Sequence, residues 1–356
     1  MIKIIMLTFG LIFSCSTYAQ DGSKINVSGY LESYYGFDFN NPVDNNRPSF
    51  VYSHNRHNEI NLNLGFIKGA YNNGIVRSNL AFMAGTYANA NLASEPGVLK
   101  NIFEANVGLK LSKTANLWVD VGIFASHIGF ESAISKDCLV LTRNIVSDNT
   151  PYYESGAKIT YATTDNRFTI AGFYLNGWQR INRLNGNSQP AGGFQLSFKP
   201  TDKVTLNYSN YLGTEGEDNV RVRRFYNNFY GIFQLTDNVS LVAGVDYGTQ
   251  QVAKGSDETN KVFAPVAIAQ YKFHPEWALA GRIEYYQDKD GVIITTGAPK
   301  GFQTTGYSLN LDFSPVPNAV VRLEGKAFNS KDKVFIRDAV PVSQSAVVTT
   351  SIAISF

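Results

Sequence analysis

The chain has 356 residues, of which 31 are Lys or Arg and 29 are Asp or Glu, for a net charge of +2. So even a balance excludes the basic footprint of a nucleic-acid-binding protein. Cysteine occurs only at Cys15 and Cys138, so no internal disulfide survives if the first is lost with a leader.

Met1-Ile2-Lys3 is followed by the apolar run Ile4 to Phe13 and by small and polar residues up to Ala19. A short cationic start, a greasy core and a small residue at the cut predict a secretory signal peptide over 1–19. Ile12-Phe13-Ser14-Cys15 offers a rival lipoprotein-type cut, against which the bulky Phe13 argues. No later run approaches the ~18 to 20 apolar residues that a spanning helix needs. Residues 20–356 therefore form either one large barrel or soluble β domains.

Period-two alternation predicts strands over 25–39, 58–68, 74–84, 100–111, 117–124, 155–163, 167–176, 193–199, 203–212, 224–235, 239–249, 262–273, 277–287, 303–313, 319–328 and 346–356. The pattern is plain in Trp277, Leu279, Gly281, Ile283 and Tyr285, which share a face opposite Arg282, Glu284 and Tyr286. Alternation suits a soluble sandwich and a membrane barrel equally; the connections separate them. Links after even-numbered strands are tight and rich in turn formers, as in Asn72-Asn73-Gly74 and Thr236-Asp237-Asn238. Links after odd-numbered strands are long. An even strand count with segregated loops predicts an all-β fold, a single transmembrane antiparallel β-barrel of about 16 strands. Long loops then lie outside the cell and short turns in the periplasm. The amphipathic last strand ends in Phe356, a signature read by the barrel-assembly machinery. Outward rings such as Phe168, Phe198, Trp277 and Phe313 near one rim, and Phe82, Tyr174 and Tyr247 near the other, predict aromatic girdles at the lipid headgroups.

Charges on the opposite face must then meet water, because Arg or Lys facing lipid near the midplane costs about 2–4 kcal/mol each. The predicted pore-lining set is Glu59, Asn61, Arg77, Glu104, Lys110, Asp120, Lys158, Arg282, Glu284, Arg322, Glu324 and Lys326. A sixteen-stranded barrel leaves a channel unless something fills it. The candidate filler is the longest link, 125–154, with apolar Ile134, Leu139, Val140, Leu141, Ile145 and Val146. If it folds into the mouth, Glu131, Lys136, Asp137 and Arg143 are the charges placed to narrow the pore; if not, it packs against its neighbours at the rim. The near-zero net charge predicts no strong preference for anions or cations.

Enzymatic barrels need an acid–base pair or a Ser–His unit at the rim. His54 and His127, with Asp44 or Glu131, are the available candidates; three spare loop histidines are the simpler reading. Asp288-Lys289-Asp290-Gly291 hints at a calcium loop but lacks a closing Glu, so a turn is the better reading. No metal, cofactor or catalytic site is predicted.

Five segments in order resemble the β-barrel porin-2, OmpL-like family of Gram-negative outer membranes. They are Val27 to Gly36, His127-Ile128-Gly129-Phe130-Glu131, Asn176-Gly177-Trp178-Gln179 with Asn182, Tyr285 to Gly291, and Val321 to Gly325. The resemblance implies an outer-membrane location and passive passage of small polar solutes, with Trp178 shaping the outer mouth. Outer-membrane lipids and the solutes themselves are the expected partners, with monomer and homotrimer both open. The alternative is a barrel plugged by its own loops, serving as an adhesin or a rim-site hydrolase.

Overall fold

The computed structural model describes residues 25–356, so the leader expected over 1–19 lies outside the described residues. The barrel strands are β1 Asn26–Asp38, β2 Ile60–Asn72, β3 Val76–Ala84, β4 Ile102–Lys110, β5 Asn116–Ala125, β6 Tyr153–Ala162, β7 Phe168–Leu175 and β8 Ala191–Thr201. They continue as β9 Val204–Glu215, β10 Val222–Gln234, β11 Val239–Gln251, β12 Thr259–His274, β13 Trp277–Asp288, β14 Phe302–Val316 and β15 Ala319–Ser330. A three-residue hairpin, β16 Phe335–Arg337 and β17 Val340–Val342, decorates the last long loop before β18 Gln344–Ser355. That hairpin is too short to leave a periodic signal. Two single-turn helices, α1 Thr86–Asn91 and α2 Ile145–Asn149, lie in long links.

Every neighbouring pair is antiparallel, and β18 pairs with β1 from Tyr30↔Ser355 to Asp38↔Val347, closing a sixteen-stranded barrel. The seam is finished by Phe356. Its N–H donates to Gly29 O at 3.0 Å, and Gly29 N–H donates back to Phe356 O at 2.7 Å. The Phe356 ring lies so close over Gly29 that a Cβ there would sit 2.4 Å from it. Gly29 is therefore the residue that lets the terminal ring close the wall.

The burial pattern of β15 shows the inversion expected of a membrane wall. Leu323 is 49% exposed while its neighbour Glu324 is fully buried. Hydrocarbon meets the outer face and charge is turned inward. Short links run 73–75, 111–115, 163–167, 202–203, 235–238, 275–276 and 317–318, all at one rim, while the long ones gather at the other. The strand forecast holds throughout, with ends displaced by a few residues. One position changes: Glu59 precedes β2 and sits at the long-loop rim, bound to Arg56, rather than inside the wall.

Candidate pore and its internal segment

The link between β5 and β6, residues 126–152, turns into the barrel and lies against one side of the wall. An irregular segment in a dry space must find partners for its own main chain, because an unpaired buried N–H or C=O costs about 1–3 kcal/mol. The strands cannot supply them from their backbones, which are committed to the barrel ladder. Side chains of β13, β14 and β15 do so instead.

Arg322 donates to the carbonyls of Ser135 (2.6 Å), Cys138 (3.0 Å) and Val140 (3.3 Å). Its other face is held by Asp312 at 2.7 and 2.8 Å. Arg282 donates to Thr142 O at 2.7 Å and to Thr142 Oγ1 at 3.1 Å. Lys326 Nζ reaches Arg143 O at 2.7 Å. The N–H groups are met in turn: Asn310 accepts from Leu141 (3.1 Å), Glu324 from Thr142 (2.5 Å) and Glu284 from Ile145 (2.6 Å). From the β1 side, Glu32 accepts the hydroxyl of Ser135. Charge-assisted bonds of this kind are the strong ones. They form a template that reads the backbone of 135–145 almost residue by residue.

Packing adds to the template. Leu139, Val140 and Phe130 rest on Val242, Val266, Ile268 and Ala280, a patch of apolar residues that point into the lumen. These are the exceptions to apolar-out alternation, and they lie where the segment needs a greasy seat. Within the segment, Glu131 accepts from the N–H and side-chain amide of Asn144, both at 2.7 Å. Arg143 donates to Ser132 O at 2.5 Å and Leu141 O at 2.7 Å. Burial pushes the Glu131 carboxyl and the Cys138 thiol above their ordinary values, which leaves that thiol unreactive.

His127 pins the start of the segment to the opposite wall. Its ring bridges Glu154 at 2.8 Å and Asn210 O at 2.7 Å, and stacks on Phe173 at 4.0 Å. A Cβ on Gly193 would sit 2.6 Å from His127 Nε2, so glycine makes room for the ring. Burial alone would lower the imidazole pKa, but the Glu154 carboxylate outweighs it and the net shift is upward. The first long loop braces the segment from above, with Ser53 Oγ donating to Asp148 at 2.8 Å.

The predicted pore-lining residues divide into two groups. Arg282, Glu284, Arg322, Glu324 and Lys326 face inward as expected, but they do not meet water. The segment covers them, and this corrects their expected pore-lining role: they hold the segment. Asp120 is also buried, against Arg77 at 2.6 Å. The second group lies on β2 to β6. Arg77 stacks on Trp118 at 4.3 Å, Lys158 lies 4.7 Å over Phe124, Asn61 bonds Glu59 near the rim, and Lys110 ends β4. The Arg77 side chain is 29% exposed, whereas that of Arg282 is fully buried. Lys68, which pairs with Glu104 at 2.5 Å, belongs to this wall too and was legible only from its register with Ala81 and Glu104. A cavity of about 320 Å³ remains between this wall and the segment, bounded by Lys68, Glu104, Phe103, Ser132 and Asp137.

Of the four predicted constriction charges, Glu131 and Arg143 are buried anchors, while Lys136 is half-buried and Asp137 exposed. Trp178 meets Tyr211 and Tyr226 edge-on, each at 4.9 Å, within the long-loop end of the lumen. The histidines are not brought together. His54 faces Glu32 at 3.2 Å and His127 faces Glu154, while Asp44 is tied to Asn46 in a turn. Asp288 spends its carboxylate on the N–H groups of Val292, Ile293 and Ile294, an ordinary turn.

A closed sixteen-stranded barrel with lipid-compatible outer residues, polar inner residues and a folded-in segment is an outer-membrane channel. The model of the family described as beta-barrel porin-2, OmpL-like, matches residues 24–356, and the chain belongs to that family. It is an outer-membrane porin, through which small hydrophilic solutes diffuse passively. No curated protein matches the chain. Among solved structures it is similar to the outer-membrane channel DcaP of Acinetobacter baumannii, at TM-score 0.62 and 10% identity over 94% of this chain and 98% of that one. An anion-selective porin from Comamonas acidovorans gives TM-score 0.60 at 8% identity over 94% and 100%. The trimer form of OmpT, an outer membrane protein of Vibrio cholerae, gives 0.58 at 10% over 94% and 100%. At such identities the likeness is one of fold.

Proposed function

We propose that residues 126–152 form a fixed constriction, and that solutes pass between it and the wall of β2 to β8. One observation carries this reading. The wall from β12 to β15 is buried beneath the segment, while Lys68 and Glu104 across the lumen remain partly exposed beside a cavity and Arg77 on the same wall is partly exposed too. Lys136 and Asp137 then stand on the segment side of the passage, and Arg77, Glu104, Lys110 and Lys158 on the wall side. Deleting 130–150 tests it in planar bilayers: a large rise in single-channel conductance is expected, and an unchanged conductance sinks the constriction.

The same reading makes the protein a non-enzymatic channel, since its buried histidines are spent on structural partners: His54 on Glu32, His127 on Glu154, and His57 on the Asp38 N–H, which donates to its Nδ1. It also takes the short-turn rim as periplasmic, residues 1–19 as a cleaved leader, and Phe356 as the mark read by the assembly machinery. OmpT of Vibrio cholerae has a trimer form; a homotrimer is our reading here too, checked by the mass of the detergent-solubilised protein.

A further inference from the structure

The net charge of +2 hides a segregation of charge within the lumen. Near the short-turn rim, Lys110 ends β4, Lys199 lies at the end of β8 and Lys272 at the end of β12. Register places all three on the inner face: Lys110 opposite Trp118, Lys199 two residues beyond Ser197, and Lys272 opposite Ala278. Strands β4, β8 and β12 are spaced four apart in a sixteen-stranded ring, so Lys199 stands a quarter turn from each of the other two, and Lys110 and Lys272 face each other half a turn apart. Lys158 on β6 lies higher on the same wall, and Lys136 hangs from the segment beside Lys272, across a cavity of about 370 Å³.

None of these five lysines makes an ion pair among the described residues. The carboxylates nearby are mostly spent elsewhere: Glu104 on Lys68, Asp120 on Arg77 and Asp312 on Arg322. Asp137 on the segment and Glu276 in the turn after β12 are the two left over. On the turns themselves, Asp165 pairs with Arg167 and Asp237 with Lys203, while Lys113 and Asp202, on separate turns, add one charge of each sign. Five lysines without an ion pair therefore face two carboxylates along the lumen, with Lys199 and Lys272 exposed near the rim. Such walls focus the field and raise the local concentration of the opposite charge.

We propose that this lysine ring makes the passage selective for small anions, with Lys110, Lys199 and Lys272 setting the preference. The inference rests on the porin reading and names its solute class: chloride-sized inorganic anions and small carboxylates or phosphates. It replaces the expectation, drawn from net charge alone, of no preference. Screening gives it a signature. The Debye length falls from about 10 Å at 0.1 M salt to about 3 Å at 1 M, so the preference fades as salt rises.

The test is the reversal potential of the full-length protein in planar bilayers under a tenfold KCl gradient. Chloride should permeate several-fold better than potassium near 0.1 M, and nearly equally near 1 M. The triple variant Lys110→Gln, Lys199→Gln, Lys272→Gln should keep its conductance steps and lose at least half of the preference. The Lys→Glu triple should invert it. Equal or cation-favouring permeability in the parent, or an unmoved reversal potential in both triples, overturns the inference while leaving the porin standing. Absence of any conductance step removes the porin and the inference together.

Discussion

Arg322→Met is the sharpest probe of how the internal segment is held. The native guanidinium donates to three carbonyls of the segment, Ser135, Cys138 and Val140, and to both oxygens of Asp312. Methionine keeps much of the side-chain volume but donates nothing. Three main-chain carbonyls and one carboxylate then lose their partner in a space that excludes water. Breaking a buried charge pair by removing one partner costs about 3–5 kcal/mol. The neighbouring contacts of Arg282 and Lys326 persist, so the lost energy falls on residues 135–140. At 1.36 kcal/mol per decade, the released population of that stretch rises roughly 10²- to 5 × 10³-fold. The barrel ladder makes no use of the Arg322 side chain, so heat-modified migration on gels should be unchanged. Single-channel records should show added open-state noise and a higher mean conductance. Amides of 135–140 should exchange faster, while those of β14 and β15 do not. Native noise with native amide protection would refute the template account.

Gly29→Leu forces a side chain into the Phe356 ring, and the seam between β1 and β18 should lose heat resistance by ten degrees or more, read by gel mobility after graded heating. Phe356→Ala alone should cost less, because the backbone pair with Gly29 remains. His127 holds its proton more tightly than a free imidazole, so its contribution is full below about pH 6.5 and is lost as pH rises through its raised pKa. Glu131, also raised, acts in the same direction, its stabilisation fading once it ionises. Open-channel noise should therefore grow as pH rises above about 6.5, the ordinary imidazole value, and His127→Gln should flatten the part due to the imidazole. Gly193→Val, which crowds the His127 ring, should raise noise at every pH without unfolding the barrel.

The barrel was almost wholly legible in the sequence, because one periodicity and one loop rule write themselves along every strand. β15 is the clearest case: from Val321 to Lys326, Val321, Leu323 and Gly325 face out while the charges Arg322, Glu324 and Lys326 turn inward. What could not be read was the destiny of an inward charge. Arg77 and Arg282 both turn inward and carry the same chemistry, yet one stays partly exposed and the other is sealed. The difference comes from a segment more than a hundred residues away from Arg282 in the chain, and no local pattern encodes where it docks. A fainter signal existed in Val242, Val266 and Ile268, whose apolar side chains sit on the wet face and break the rule without cost. Apolar residues on the polar side of two neighbouring strands ask for an apolar cover, and Leu139 and Val140 supply it.

The mixed charges of β13 to β15 follow from the same requirement. A segment inside a barrel faces a wall whose backbone has nothing left to give, since each strand N–H and C=O is bonded to its neighbours. Only side chains can satisfy the intruding main chain, and it presents donors and acceptors by turns. Arg and Lys must meet the carbonyls, Glu and Asn the amides. Long side chains are needed because the ladder and the segment lie a side chain apart. The sequence Arg322-Leu323-Glu324-Gly325-Lys326 places cation, carboxylate and cation on one face at two-residue steps, and these meet Cys138 O, Thr142 N–H and Arg143 O. Read as pore electrostatics, such a strand is nearly neutral and uninformative; read as a main-chain template, its order of charges is dictated. The charges left to act on solutes are then those the template leaves unspent, and that is the ground for assigning selectivity to the three lysines at the short-turn rim rather than to the buried charges of β13 to β15.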